Sequence, residues 1–138
     1  MKLSLLTNTP DIEVVVATSM LTTTSGALPS TLYERLRSNP VKAQEIVGRV
    51  EAQHGSILEH NRFVWELEAT SAEVNEVLLD TAFLTFTKLS EDHWLLSGNL
   101  RTVAEYYHQK DSTFTNALVD SILDVTPTLH RFIRGLRR

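Results

Sequence analysis

Cysteine is absent from the 138 residues, which removes disulfides, thiolate metal sites and cysteine nucleophiles and fits a reducing compartment. No apolar run approaches the roughly 20 residues of a membrane-spanning helix, and the first residues lack a signal-peptide pattern. A cytoplasmic protein without a membrane partner is therefore expected. Excess positive charge is missing too, since 13 Lys and Arg against 17 Asp and Glu give a net charge of -4 and a pI near 5.7. That is the wrong sign for a surface built to neutralise phosphates, so no nucleic-acid partner is expected. The one basic cluster, Arg131, Arg134, Arg137 and Arg138, falls in the last turns of an expected helix, where cations complement the negative end of the dipole. The five glycines are scattered, so there is no Walker loop and no dinucleotide fingerprint, and a nucleophile elbow is lacking as well.

What is present is the composition of an ordinary globular chain, 42% hydrophobic and 22% charged, which excludes long disorder and predicts one domain over residues 1–138. Lys2 to Leu6 is β-prone and ends in Thr9-Pro10-Asp11-Ile12-Glu13, where threonine can cap a helix, proline fits its first position and the acids meet the dipole. A helix to about Met20 follows, then a Thr/Ser/Gly/Pro-rich loop over 21–29. Thr31 with Glu34 forms a capping-box pattern, and Asn39-Pro40 divides two helices, the second carrying Ala43, Ile46, Val47 and Val50 on one face. Phe63, Trp65 and Leu67 alternate with Val64, Glu66 and Glu68 as in a half-buried strand. Thr70 and Glu73 offer a second capping box, for a helix ending near Asp80. Phe83, Phe86 and Leu89 read equally as strand or irregular chain, and His93 to Leu96 as a short buried strand. Leu100, Val103, Ala104 and Tyr107, at i, i+3, i+4 and i+7, give the clearest amphipathic helix. Phe114, Leu118, Val119, Ile122 and Leu123 repeat that pattern, and Pro127 opens a last helix.

The five histidines are the default candidates for acid/base work or metal binding. His54 and His60 lie six apart, which is not the spacing of a helical metal pair, so no metal is expected. Glu59 beside His60 reads as a surface or hydrogen-bonded pair, and His93, His108 and His130 as structural or solvated. No residue is assigned a catalytic role.

Three segments carry a family resemblance. His54-Gly55-Ser56-Ile57-Leu58-Glu59-His60, followed by the strand Phe63 to Glu68 and by Ser71, resembles the His-x-Ser-x-Leu-Glu-His, strand and helix of the flavin-dependent thymidylate synthases. Lys2-Leu3-Ser4-Leu5-Leu6 with Thr9-Pro10-Asp11 resembles the way those proteins begin, and Asn99-Leu100-Arg101-Thr102-Val103 resembles their Asn-x-Arg-Ser-Leu. The resemblance implies an α+β fold in which a central, twisted, mostly antiparallel sheet is flanked by helices. It also implies a homotetramer with shared sites, in which FAD carries reducing equivalents from NADPH and methylenetetrahydrofolate supplies the carbon that turns dUMP into dTMP. By that likeness His54 and Ser56 approach the flavin of a neighbouring subunit, Asn99 and Arg101 contact it from a helix start, and Lys110 stands where an arginine orients the pyrimidine. A lysine there keeps the charge but loses the fork of donors. For Asn99 and Arg101 the plainer alternative is a helix cap and a surface arginine.

One departure is larger than these agreements. Where the family reads Arg-His-Arg, then a serine and a Gln/Ser-rich loop ending in Ser-x-Arg, this chain reads Asp80-Thr81-Ala82, then Thr85, Ser90 and Asp92, and it is shorter than a complete member. Between Arg62 and Arg101 the only cation is Lys88. Losing three charge-assisted contacts removes about 5 to 9 kcal/mol of phosphate binding, against about 8 kcal/mol for micromolar affinity. The expectation is a divergent member that retains FAD binding without methylating dUMP in the family's manner. A non-catalytic structural or interaction homologue that keeps only the fold and oligomer is the alternative.

Overall fold

The computed structural model describes residues 1–51 and 55–137. Among them β1 (Lys2–Asn8), β2 (Phe63–Glu68), β3 (Thr85–Lys88) and β4 (His93–Gly98) form one sheet in the order β1-β2-β4-β3, with every pairing antiparallel. The helices are α1 (Ile12–Thr22), α2 (Pro29–Arg37), α3 (Pro40–Val47), α4 (Ser71–Asp80), α5 (Leu100–Gln109), α6 (Thr113–Ser121) and α7 (Pro127–Gly135), and a 3-10 turn spans Gly55–Leu58. This is the α+β architecture expected from the sequence.

The alternation in β2 decides which side of the sheet is covered. Leu5, Trp65, Leu96 and Phe86 stand in one cross-strand row and Leu3, Leu67, Trp94 and Lys88 in another. Phe63, Trp65, Leu67 and Leu96 on this face are fully buried. Trp65 stacks on Phe63 with ring centroids 5.6 Å apart, and its indole Nε1 donates to Ser121 Oγ at 2.8 Å, tying the sheet to α6. The opposite face carries the row Ser4, Glu66, Leu95 and Thr87. Such one-sided burial is what an antiparallel sheet with alternating residues permits.

Several helix boundaries follow the expected chemistry. Asn39 caps α3 by accepting from Lys42 N at 3.2 Å, Pro127 opens α7, and Thr70 with Glu73 forms the expected capping box of α4. Two do not. Thr9 is no helix cap: α1 starts at Ile12, after Asp11 in the left-handed region (φ 53°). Thr9 instead accepts from Arg62 N at 2.8 Å and donates to Arg62 O at 2.8 Å, extending the pairing of β1 with β2. Thr31 and Glu34 form no capping box either, because Pro29 takes the first turn of α2 and Leu28 precedes it without a side-chain cap. Thr85 to Lys88 resolve as strand, whereas Phe83 and Leu89 lie outside it and are exposed.

The basic end of α7 is largely held by the protein itself. Arg137 lies 3.4 Å from the centre of the Tyr107 ring and donates to Tyr107 O, Lys110 O and Asp111 Oδ1. Arg134 pairs with Asp120. Arg138 lies outside the described residues. No helix among the described residues is long and apolar enough to cross a membrane.

Candidate functional site at the start and end of helix α5

The turn from β4 into α5 is fixed by two asparagines. Asn61, buried beneath it, accepts from Leu100 N at 2.8 Å through Oδ1. Asn99 caps α5, its Oδ1 accepting from Thr102 N at 2.9 Å and from Thr102 Oγ1 at 3.1 Å. The plainer reading of Asn99 as a helix cap therefore holds for its oxygen, while its amide nitrogen has no protein acceptor among the described residues.

Arg101, one turn on, reaches back over the 3-10 turn. Its Nε donates to Glu105 at 3.0 Å and its Nη1 to Glu59. These two carboxylates, Glu105 first, push the guanidinium pKa above its ordinary value. Gly55 lets the guanidinium lie close to the turn, since a Cβ there would stand 3.2 Å from both Cζ and Nε of Arg101 and the side chain would have to shift slightly. Ser56 lies on the same turn and is exposed. His54 lies outside the described residues. A cleft of about 270 Å³ opens here, lined by Glu59, Arg62, Phe83, Asn99, Arg101, Thr102 and Glu105.

Lys110 belongs to the other end of α5, about 13 Å further along the helix at 1.5 Å per residue. Its Nζ donates to Asp80 Oδ2 at 2.6 Å, and the Tyr106 hydroxyl donates to the same oxygen at 2.9 Å. Lys110 and then Tyr106 hold the Asp80 carboxyl below its usual pKa, while burial and Asp80 push the Tyr106 phenol up. A second pocket, of about 420 Å³, lies against this cluster over a floor that includes Leu3, Val77 and Phe114. Asp80 thus neutralises the lysine beside it. Sequence reasoning missed Tyr106 and Arg62 as site residues; Glu105 was readable, being four residues after Arg101 on a helix.

Among the described residues no group of three or more His, Asp or Glu side chains is placed to hold a metal ion. The four described positions do not form one site: Ser56, Asn99 and Arg101 lie around the start of α5, and Lys110 stands apart.

No known family profile matches the sequence, and no curated protein matches it. Solved structures do. A crystal structure of the flavin-dependent thymidylate synthase ThyX from Helicobacter pylori, complexed with FAD and dUMP, superposes with a TM-score of 0.65 at 13% identity over 96% of this chain and 99% of that one. A second structure of Thymidylate Synthase X from the same organism, also with FAD and dUMP, gives a TM-score of 0.64 at 13% identity over 100% of both chains. At this identity the likeness is one of fold, and it runs from end to end of both chains. The chain is thymidylate synthase-like in its architecture, with a mixed helical and antiparallel fold that matches ThyX.

Proposed function

We propose that the protein is a divergent flavin-dependent thymidylate synthase-like protein that binds FAD at the start of α5 and does not hold dUMP in the manner of that family. The observation that carries the second half is the Asp80 carboxylate, which accepts from Lys110 and Tyr106 at 2.6 and 2.9 Å. A dianionic phosphate placed there meets a cation already neutralised and a like charge beside it. The first half rests on donors and surfaces left open in the cleft. The Asn99 amide has no protein acceptor among the described residues, and Phe83, 70% exposed at the rim, offers a ring face for stacking. Bound there, FAD would supply hydride chemistry, while the chain's own part is to orient the cofactor with Asn99, Arg101 and Ser56. His54, by resemblance, belongs to the same shell.

The same reading makes residues 1–138 one thymidylate synthase-like domain, assembled as a homo-oligomer in the cytoplasm. The exposed apolar side chains Leu79 (88%) and Phe83 (70%) suit burial against a second subunit.

A second reading, a fold-and-oligomer homologue without catalysis, is favoured by the fact that Arg101 and Lys110 both already pair with carboxylates. The test reconstitutes the purified protein with FAD, removes free flavin by gel filtration, and records the visible spectrum. A retained yellow chromophore is expected; a colourless oligomer supports the second reading. Calorimetric titration with dUMP should show no saturable micromolar binding, and such binding would refute the assignment of Asp80.

A further inference from the structure

Arg62 lies outside every motif in the sequence, one residue before β2. Its backbone is clamped by Thr9 through the two bonds described above, and its side chain crosses the bare face of the sheet. There Nη2 donates to Ser97 Oγ at 3.1 Å and to Thr85 Oγ1 at 3.3 Å. Ser97 and Thr85 are neighbours in the strand register, so the two hydroxyls form a fixed cradle under one edge of the guanidinium. Among the described residues no carboxylate pairs with Arg62, and none accepts from its Nε or Nη1. This differs from Arg101 across the same cleft, which is held by both Glu59 and Glu105. Of the two arginines lining that cleft, Arg62 is the one with no carboxylate partner among the described residues; Glu59 and Glu105, which also line it, pair with Arg101 instead.

We propose that Arg62 is the anchoring cation for a phosphate-bearing ligand in this cleft, the residue that makes the site prefer a flavin with phosphates over one without. The choice of flavin as ligand rests on the reading given above; the phosphate site itself does not. Arginine suits the task because its charge is permanent and it carries several donors: Nη2 is held in place by neutral acceptors that leave the charge intact, while Nε and Nη1 remain to donate to a phosphate. Charge-assisted bonds of this kind are weakened by salt, so the preference should fall as ionic strength rises.

The test measures FAD, riboflavin and inorganic pyrophosphate binding to the wild-type protein, to Arg62→Gln, which keeps an amide donor for the two hydroxyls, and to Arg62→Lys. Loss of one charge-assisted contact predicts FAD affinity about 10- to 100-fold weaker in Arg62→Gln, partial rescue in Arg62→Lys and unchanged riboflavin affinity. If wild type binds FAD and Arg62→Gln binds it equally well while remaining folded by circular dichroism, the role of Arg62 is overturned and the flavin reading stands. If FAD does not bind at all, the flavin reading fails and pyrophosphate decides: binding that vanishes in Arg62→Gln sustains the anion site, and no binding to wild type overturns it.

Discussion

Asn99 does one job visibly and is assigned another, and two substitutions separate them. Its Oδ1 satisfies both the backbone N–H and the hydroxyl of Thr102, which is only 5% exposed and so has little access to water as a substitute. Asn99→Ala leaves that donor orphaned. The usual cost of losing a helix cap is about 0.5 to 2 kcal/mol, and the burial of Thr102 places this case in the upper half. With a urea m-value of about 2 kcal/mol/M, the unfolding midpoint should drop by about 0.5 to 1 M. Asn99→Ser keeps a capping oxygen, adds no charge to the cleft, and removes only the amide NH₂. Its stability should stay within about 0.5 kcal/mol of wild type, because serine and asparagine are comparable caps. Flavin affinity should nonetheless fall about 2- to 10-fold, the value of one neutral hydrogen bond. Urea denaturation followed by circular dichroism, paired with a flavin titration, reads both quantities on the same samples. If Asn99→Ser is as unstable as Asn99→Ala, the oxygen is not what holds the start of α5. If it binds FAD like wild type, Asn99 is a cap and nothing more.

Two other perturbations test the scaffold. Trp65→Phe removes the indole that donates to Ser121 Oγ and leaves a void beside Phe63 in a fully buried position, so it should cost about 2 kcal/mol in thermal or chemical denaturation; a loss under half that would mean the sheet and α6 are not coupled through this contact. Asp80, lowered from its ordinary 3.8 chiefly by Lys110, and Glu73, lowered from 4.5 chiefly by the Thr70 N–H, each stabilise the fold above their unfolded values and lose that contribution as pH falls through their depressed ones. Asp80→Asn should therefore flatten the acid limb of a stability profile below about pH 4, and an unchanged acid limb would count against the Lys110 pairing in solution.

Legibility in the sequence tracked how local each determinant is. The strand Phe63–Glu68 was readable because its alternation is written in adjacent residues, and the Thr70–Glu73 box because its partners are three apart. Thr31–Glu34 has the same spacing and failed, since Pro29, two residues earlier, starts the helix first. Thr9 failed for the opposite reason: its partner Arg62 is 53 residues away, and nothing near Thr9 announces it. At the site, the cap at Asn99 was visible as an alternative from its place before an amphipathic helix. Arg62 was invisible as a functional candidate because its significance lies in Ser97 and Thr85, brought beneath it by the sheet register.

The two ends of α5 differ in how they can respond to an anion, and this asymmetry bears more on function than the list of residues does. At the start, Arg101 is held by Glu59 and Glu105, whose side chains are 45% and 49% exposed. Exposed pairs of this kind are weak, so a ligand can displace either carboxylate into solvent without leaving a buried group unpaired. At the end, Lys110 can also swing away, but the carboxylate cannot follow as easily. Asp80 also accepts from the Tyr106 hydroxyl, so releasing it breaks a second hydrogen bond and leaves a part-buried donor to find another partner. The negative charge at position 80 is therefore held by two donors at once, whereas each carboxylate on Arg101 is held by that arginine. A phosphate can enter beside Asn99 and Arg62 by exchanging surface partners; beside Lys110 it would have to share the space with Asp80.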